Sequence, residues 1–167
     1  MQRESANHQF PFFMLILLDP AHGHNTPGKR SPDGTLLEYA YTRDLARQIV
    51  TTLKARGYDS ELLVPEDDDI PLSERVRRTN AHCQALGKSN VILISIHVNA
   101  AGDGTRWHTA TGWSCYTTKG HTLSDTLATA STNPPATPTV PPSSSKTSSW
   151  TIKRISPTSS HKKADEK

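Results

Sequence analysis

The chain is poor in the features that several large function classes require. It has two cysteines, Cys83 and Cys115, in 167 residues, too few for a disulfide framework or a cysteine-only metal site. Each sits among apolar neighbours and reads as a small buried hydrophobe. The longest apolar run, Phe12 to Leu18, is far short of the roughly 20 residues of a spanning helix, so no membrane span is expected. Closed by Asp19-Pro20, it is also too short for the apolar core of an export signal and reads better as a strand. Positive charge is scarce where a folded domain would lie. Residues 1–130 hold 13 basic and 14 acidic side chains, whereas residues 131–167 hold six and two, so the overall +3 belongs to the tail. A domain that grips nucleic acid carries its cations on the folded part, so no nucleic-acid partner is expected.

What is present points to one α/β domain over residues 14–130, after an extension at 1–13 and before a tail at 131–167. Leu15 to Leu18 is a continuous apolar run, as expected of a parallel strand covered on both faces. A helix is expected over Leu37–Arg56, stopped by Gly57, and a second strand over Tyr58–Val64. Asp67-Asp68-Asp69 stand where the N-terminus of a second helix would favour acids. Leu72, Val76, Thr79, Cys83 and Leu86 then advance by three and four, the spacing of a buried helical stripe. Val91–Ile96 and Trp113–Thr118 are expected strands, and Ser124–Ala130 begins a short helix. The resulting class is a largely parallel, mixed α/β sheet flanked by helices and incomplete at its C-terminal end.

Three side chains converge on one chemistry. His22 follows the first strand in D-P-A-H-G, and His97 ends the third in S-I-H-V-N-A. Ligands of open α/β sheets bind beyond the carboxyl ends of strands, which is where both imidazoles fall. Glu38 begins the first helix. At about 100° per residue, Leu45, Ile49 and Leu53 lie within about 60° of it, so this carboxylate faces the core. No Lys or Arg shares that face nearby. Helix-dipole stabilisation of a first-turn acid is the plainer alternative, and either histidine alone reads as a structural one. A metal satisfies the buried charge and the placement together. Two His and one Glu leave a fourth tetrahedral position for water, the pattern of a catalytic zinc rather than a structural one.

The motifs L-D-P-A-H-G, L-L-E-Y, S-E-R-V-x-x-T-N and S-I-H-V-N-A, in that order over residues 15–128, resemble the zinc-dependent N-acetylmuramoyl-L-alanine amidases of the amidase-3 type. The resemblance implies hydrolysis of the amide joining the lactyl group of N-acetylmuramic acid to L-alanine in peptidoglycan, with Zn²⁺ held by His22, Glu38 and His97. It makes Asn99 a brace of the metal loop, and Arg75 and Asn80 supports for it. Peptidoglycan is then the partner, a monomer the expected state, and the cell wall or periplasm the place of action of a protein made in the cytoplasm, as for an endolysin. His24 is a further candidate contact. His82 reads as a solvated or packed residue, while His108 and His121 lie in loops near the cleft. Lys29 and Arg30 could meet carboxylates of the stem peptide, although a solvated pair is the simpler reading.

The family's general base is a second glutamate on a late apolar strand, and the chain offers no equivalent. Beyond His97 the acids are Asp103, Asp125, Asp165 and Glu166, none on an apolar strand, which leaves Asp103 or His108 as substitutes. Residues 131–167 contain 21 Ser, Thr or Pro in 37 positions, a composition that cannot repay its ordering entropy. The change comes in mid-helix near Leu127, as a shift of reading frame between Gly120 and Ser131 would produce. A zinc-holding remnant that at most binds peptidoglycan is therefore the alternative to an amidase, and an unrelated metallohydrolase is a weaker third reading. Translating the other two frames should reveal an apolar, Glu-bearing strand if the frame did shift.

Overall fold

A computed structural model describes residues 14–99, 103–109, 114–117 and 123–132. Three parallel strands form the sheet: β1 (Leu15–Pro20) lies in the middle, between β2 (Asp59–Leu62) and β3 (Val91–Ile96). The helices are α1 (Glu38–Ala55), α2 (Leu72–Leu86) and α3 (Leu123–Thr132), with a 3-10 turn at Lys88–Asn90 before β3. The parallel sheet with flanking helices is the class the alternating pattern called for.

The central strand alternates its side chains between two clusters, as a strand's period of two requires. Leu18, with Ile16, joins Ala46, Leu45, Ile49 and Leu53 of α1 and Ile94 and Ile96 of β3. Leu17, with Leu15, joins Leu63, Val64, Val91 and Leu93, against which Ile70 and Cys83 pack. α1 ends as its sequence demands. Gly57 takes φ +84, Tyr58 N–H donates to Leu53 O and Gly57 N–H to Lys54 O, each at 3.0 Å. This pair of bonds caps the last turn and needs a left-handed residue at its centre. β2 is shorter than expected because its ladder stops at Leu62. Leu63 still donates to Leu18 O at 2.8 Å, and it and Val64 bury their side chains before Pro65 turns the chain away.

Three expectations change. The buried residues of α2 are Arg75 and Thr79, while Leu72 is 65% exposed and Leu86 is also exposed. Thr79 and Cys83 of the expected stripe do meet the core, and Arg75, about 40° from Thr79 on the same face, reaches the carboxylate of Asp19. The leucines at the two helix ends are the part of the stripe left outside. Asp67, Asp68 and Asp69 precede Pro71, the residue before α2, whose first-turn acid is Glu74. They form a loop that grips the His22 segment instead. Of Trp113–Thr118, residues 114–117 are described, and there Tyr116 forms an isolated bridge rather than a strand. His121 and the extension at 1–13 lie outside the described residues, as does the tail beyond Thr132.

Candidate metal centre

The sheet register builds the site. β1 and β3 are paired from Leu15↔Val91 to Pro20↔Ile96, so the residues leaving their carboxyl ends emerge side by side. Ala21 N–H donates to Ile96 O at 3.0 Å, extending the pairing one step further. His22 then turns sharply, with φ 53, and its ring stands 5.4 Å from that of His97 at 87°. Left-handed backbone is uncommon outside glycine, and histidine tolerates it better than most residues. Glu38 arrives from α1, which is tied to the preceding loop by its N–H to Lys29 O at 3.0 Å and by the Arg30–Leu37 bridge.

Glu38 is 7% exposed. Its Oε1 lies 3.5 Å from His22 Nε2 and 3.5 Å from His97 Nδ1, and it accepts the Val98 N–H at 2.9 Å. Burial by itself would raise the carboxyl's pKa, but the hydrogen bond to His97, the Val98 amide and both imidazoles outweigh it and hold the group below the ordinary carboxylate value. Burial also lowers the pKa of His22, against the pull of Glu38. An anionic carboxylate and an imidazole kept neutral are the protonation states a metal ion requires. One ligand atom from each of the three residues lies within 4.8 Å of the others. Two ligand atoms about 2.1 Å from a shared tetrahedral zinc stand about 3.4 Å apart, close to the two 3.5 Å separations. The donor set and its spacing therefore fit zinc.

Two buried arginines hold the loop that carries His22. Arg75 donates to the Asp19 carboxylate and, at 2.8 Å, to Pro20 O. It also reaches Ile70 O at 2.7 Å and Asp69 Oδ1 at 3.2 Å, while Ser95 donates to Asp19 Oδ2 at 2.9 Å. Arg43, 1% exposed, donates to Glu66 O at 2.7 Å, Ala21 O at 3.2 Å and Asp68 O at 3.3 Å. Thr42 donates to the same Ala21 carbonyl at 3.2 Å. The peptide groups of Ala21 thus connect all three ligand-bearing elements: β3 through its N–H, and α1 through its C=O. Gly23 closes the arrangement, since a Cβ there would fall 1.9 Å from Asp69 N.

The other sequence candidates are dispersed. His24 turns away to Asp68, with Nδ1 2.9 Å from the carboxylate, in the loop where Asn25 and Thr26 also bond Asp69. Asn99 and His108 line the cavity beside His97. Asn80 is half-buried on α2 and lies outside that cavity. His82 pairs with Glu61 at 3.0 Å. Sequence reasoning missed Arg43, which sits about 140° round α1 from Glu38, outside the expected stripe. Three consecutive acids downstream with no assigned cation were the available signal.

Comparison with known proteins completes the site. The family model of N-acetylmuramoyl-L-alanine amidase matches residues 16–154, running past the composition change at Ser131. The N-acetylmuramoyl-L-alanine amidase AmiC of Neisseria meningitidis serogroup B is 36% identical over 86 residues, 52% of this chain and 19% of that protein. An N-acetylmuramoyl-L-alanine amidase structure from Clostridium difficile 630 superposes with a TM-score of 0.57 at 27% identity, over 71% of this chain and 60% of that one. The catalytic domain of CwlV from Bacillus (Paenibacillus) polymyxa var. colistinus gives a TM-score of 0.54 over 84% and 79% of the two chains. At 14% identity it bears on the fold alone. The chain thus spans less than two thirds of the first of these structures and about a fifth of the curated relative.

Proposed function

The chain belongs to the N-acetylmuramoyl-L-alanine amidase family, and on that premise we propose that it hydrolyses the amide between N-acetylmuramic acid and L-alanine in peptidoglycan, with zinc held by His22, Glu38 and His97. The observation that carries the reading is the convergence of those three ligand atoms within 4.8 Å on one wall of a cavity of about 330 Å³. Zinc there would supply Lewis-acid polarisation of a carbonyl and a lowered pKa for water. The chain's own part is to present two imidazoles and one anionic carboxylate, and to hold them through Ala21, Arg43 and Arg75. The protein acts as a monomer at the cell wall or periplasm, where its substrate lies.

One observation favours a second reading. Among the described residues lining the cavity, Glu38 is the one carboxylate, and its place is with the metal. Asp103 is turned into its own loop, accepting from Thr105 N–H at 3.0 Å and Thr105 Oγ at 2.7 Å. With no second carboxylate to move the proton, the chain would hold zinc and bind peptidoglycan without turning it over. His108 is the remaining base within the cavity. Zinc content and release of amino groups from purified cell walls test both readings together. One zinc per chain, lost in His97→Ala, with wall hydrolysis supports the amidase. Zinc without hydrolysis supports the remnant, and full zinc retention by His97→Ala removes both.

A further inference from the structure

His22 and His97 are shared by two cavities of unlike character. The first, about 330 Å³, is walled by Lys29, Arg30 and Arg106. The second, about 520 Å³, is walled by Asp69, Pro71 and Leu72, and its one cation is Arg75. Arg75 is occupied by Asp19 and Asp69. Among the described residues, no carboxylate lies within ion-pair distance of Lys29, Arg30 or Arg106. The acids nearest in sequence are turned elsewhere. Asp33 Oδ1 accepts from Ser31 Oγ at 2.6 Å and Thr35 Oγ at 2.8 Å, and Asp103 is bonded by Thr105. The cations also begin beside the metal ligands, because Lys29 O accepts the N–H of Glu38 itself. Three exposed cations on a concave wall with one carboxylate create a local field that attracts anions.

Resting on the amidase reading, we infer that this wall is the subsite for the acidic stem peptide, and that it selects a free carboxylate on the residue after L-alanine over the corresponding amide. At 3.3–3.6 Å per residue, that carboxylate stands about 7 Å from the scissile nitrogen, within reach of flexible side chains that start next to Glu38. The peptide therefore enters the first cavity, and the muramoyl side faces the second, whose one cation, Arg75, is already paired with Asp19 and Asp69.

The test separates binding from hydrolysis. L-Alanyl-D-glutamate and L-alanyl-D-isoglutamine differ by one carboxylate made into an amide, and neither contains the bond an amidase cleaves. Calorimetric titration of the zinc-loaded full chain should show the acid binding about tenfold more tightly than the amide. The preference should shrink as NaCl rises from about 0.05 to 0.5 M, and vanish in the triple variant Lys29→Gln, Arg30→Gln, Arg106→Gln. Equal affinities, or a preference that survives the triple variant, would overturn the inference. Acid preference without hydrolysis of muramoyl peptides would leave the subsite standing and remove the catalytic reading. Hydrolysis without acid preference would do the reverse.

Discussion

The two buried arginines beside the His22 loop solve the same problem by different means. Arg75 is buried with its counter-ion: Asp19, 3% exposed, lies against its guanidinium, and Ser95 bonds the other carboxylate oxygen. Arg43 is buried more completely but is surrounded by carbonyls; the nearest carboxylate, that of Asp67, is 3.9 Å away and largely exposed. Burial accordingly lowers the Arg43 pKa, with the charge of Arg75 adding to the effect. The contrast separates two kinds of support. Arg75 neutralises a buried charge that is costly to leave alone, so its loss should appear as lost stability. Arg43 gathers carbonyls from Ala21, Glu66 and Asp68, so its loss should appear as a displaced histidine.

The largest effect is therefore expected at Arg75. Arg75→Leu leaves Asp19 buried and uncompensated, which costs about 3–5 kcal/mol, a large share of the 5–15 kcal/mol typical of a domain. Asp19→Leu combined with Arg75→Leu removes both charges and should recover part of that loss. Urea denaturation of the two variants measures the difference. A double variant no more stable than the single one would show that pairing is not what Arg75 provides.

Arg43→Met should behave differently. Ala21 O keeps its bond from Thr42, and the carbonyls of Glu66 and Asp68 lie in a loop that water can reach. A stability cost of about 1–2 kcal/mol is expected. Zinc affinity should fall by about ten- to a hundredfold, the usual effect of losing a residue that orients a ligand. Competition with a chelator reads the affinity, and Arg43→Lys should restore part of it. Wild-type zinc affinity in Arg43→Met would erase the contrast between the two arginines.

This contrast also marks how much the sequence made legible. Strands β1 and β3, the helix stop at Gly57 and the candidate ligands His22, Glu38 and His97 rest on local patterns: apolar runs, a left-handed glycine, polar side chains at strand ends. The structure puts those elements and side chains where the patterns implied. The burial of Arg75 on α2, the grip of Asp67–Asp69 on the His22 loop and the burial of Arg43 depend on partners 20 to 60 residues away in the chain, such as Asp19 for Arg75. Spacing along one helix carries no record of such partners. The stripe at Leu72, Val76 and Thr79 holds in its middle, where Thr79 is buried, and fails at its end, where Leu72 is exposed.

Acidification should act on the candidate ligands His22 and Glu38. The folded-state pKa of His22 lies below the ordinary imidazole value of 6.5. As pH falls through about 6.5, the unfolded chain therefore takes up a proton that the folded chain resists, and stability declines. Glu38 is also lowered from its ordinary 4.5, so its contribution is present above that value and is lost as pH falls further, through the folded pKa. Both shifts point the same way. The zinc-free chain should thus lose stability in two acid steps, and Glu38→Gln should remove the lower one. A stability profile that stays flat from pH 7 to pH 4 would contradict the burial of His22.

The smallest expected effect lies at the exposed end of α2. Leu72 is a surface residue in spite of its place in the apolar stripe, and it is 65% exposed. Leu72→Gln should then change stability by less than about 0.5 kcal/mol, whereas truncating a leucine in the core would cost about 2–5 kcal/mol. Leu17→Ala, at a fully buried position on β1, supplies that upper reference in the same urea titration. If Leu72→Gln costs as much as Leu17→Ala, the first turn of α2 buries Leu72 in solution, and the apolar stripe extends to the end of the helix.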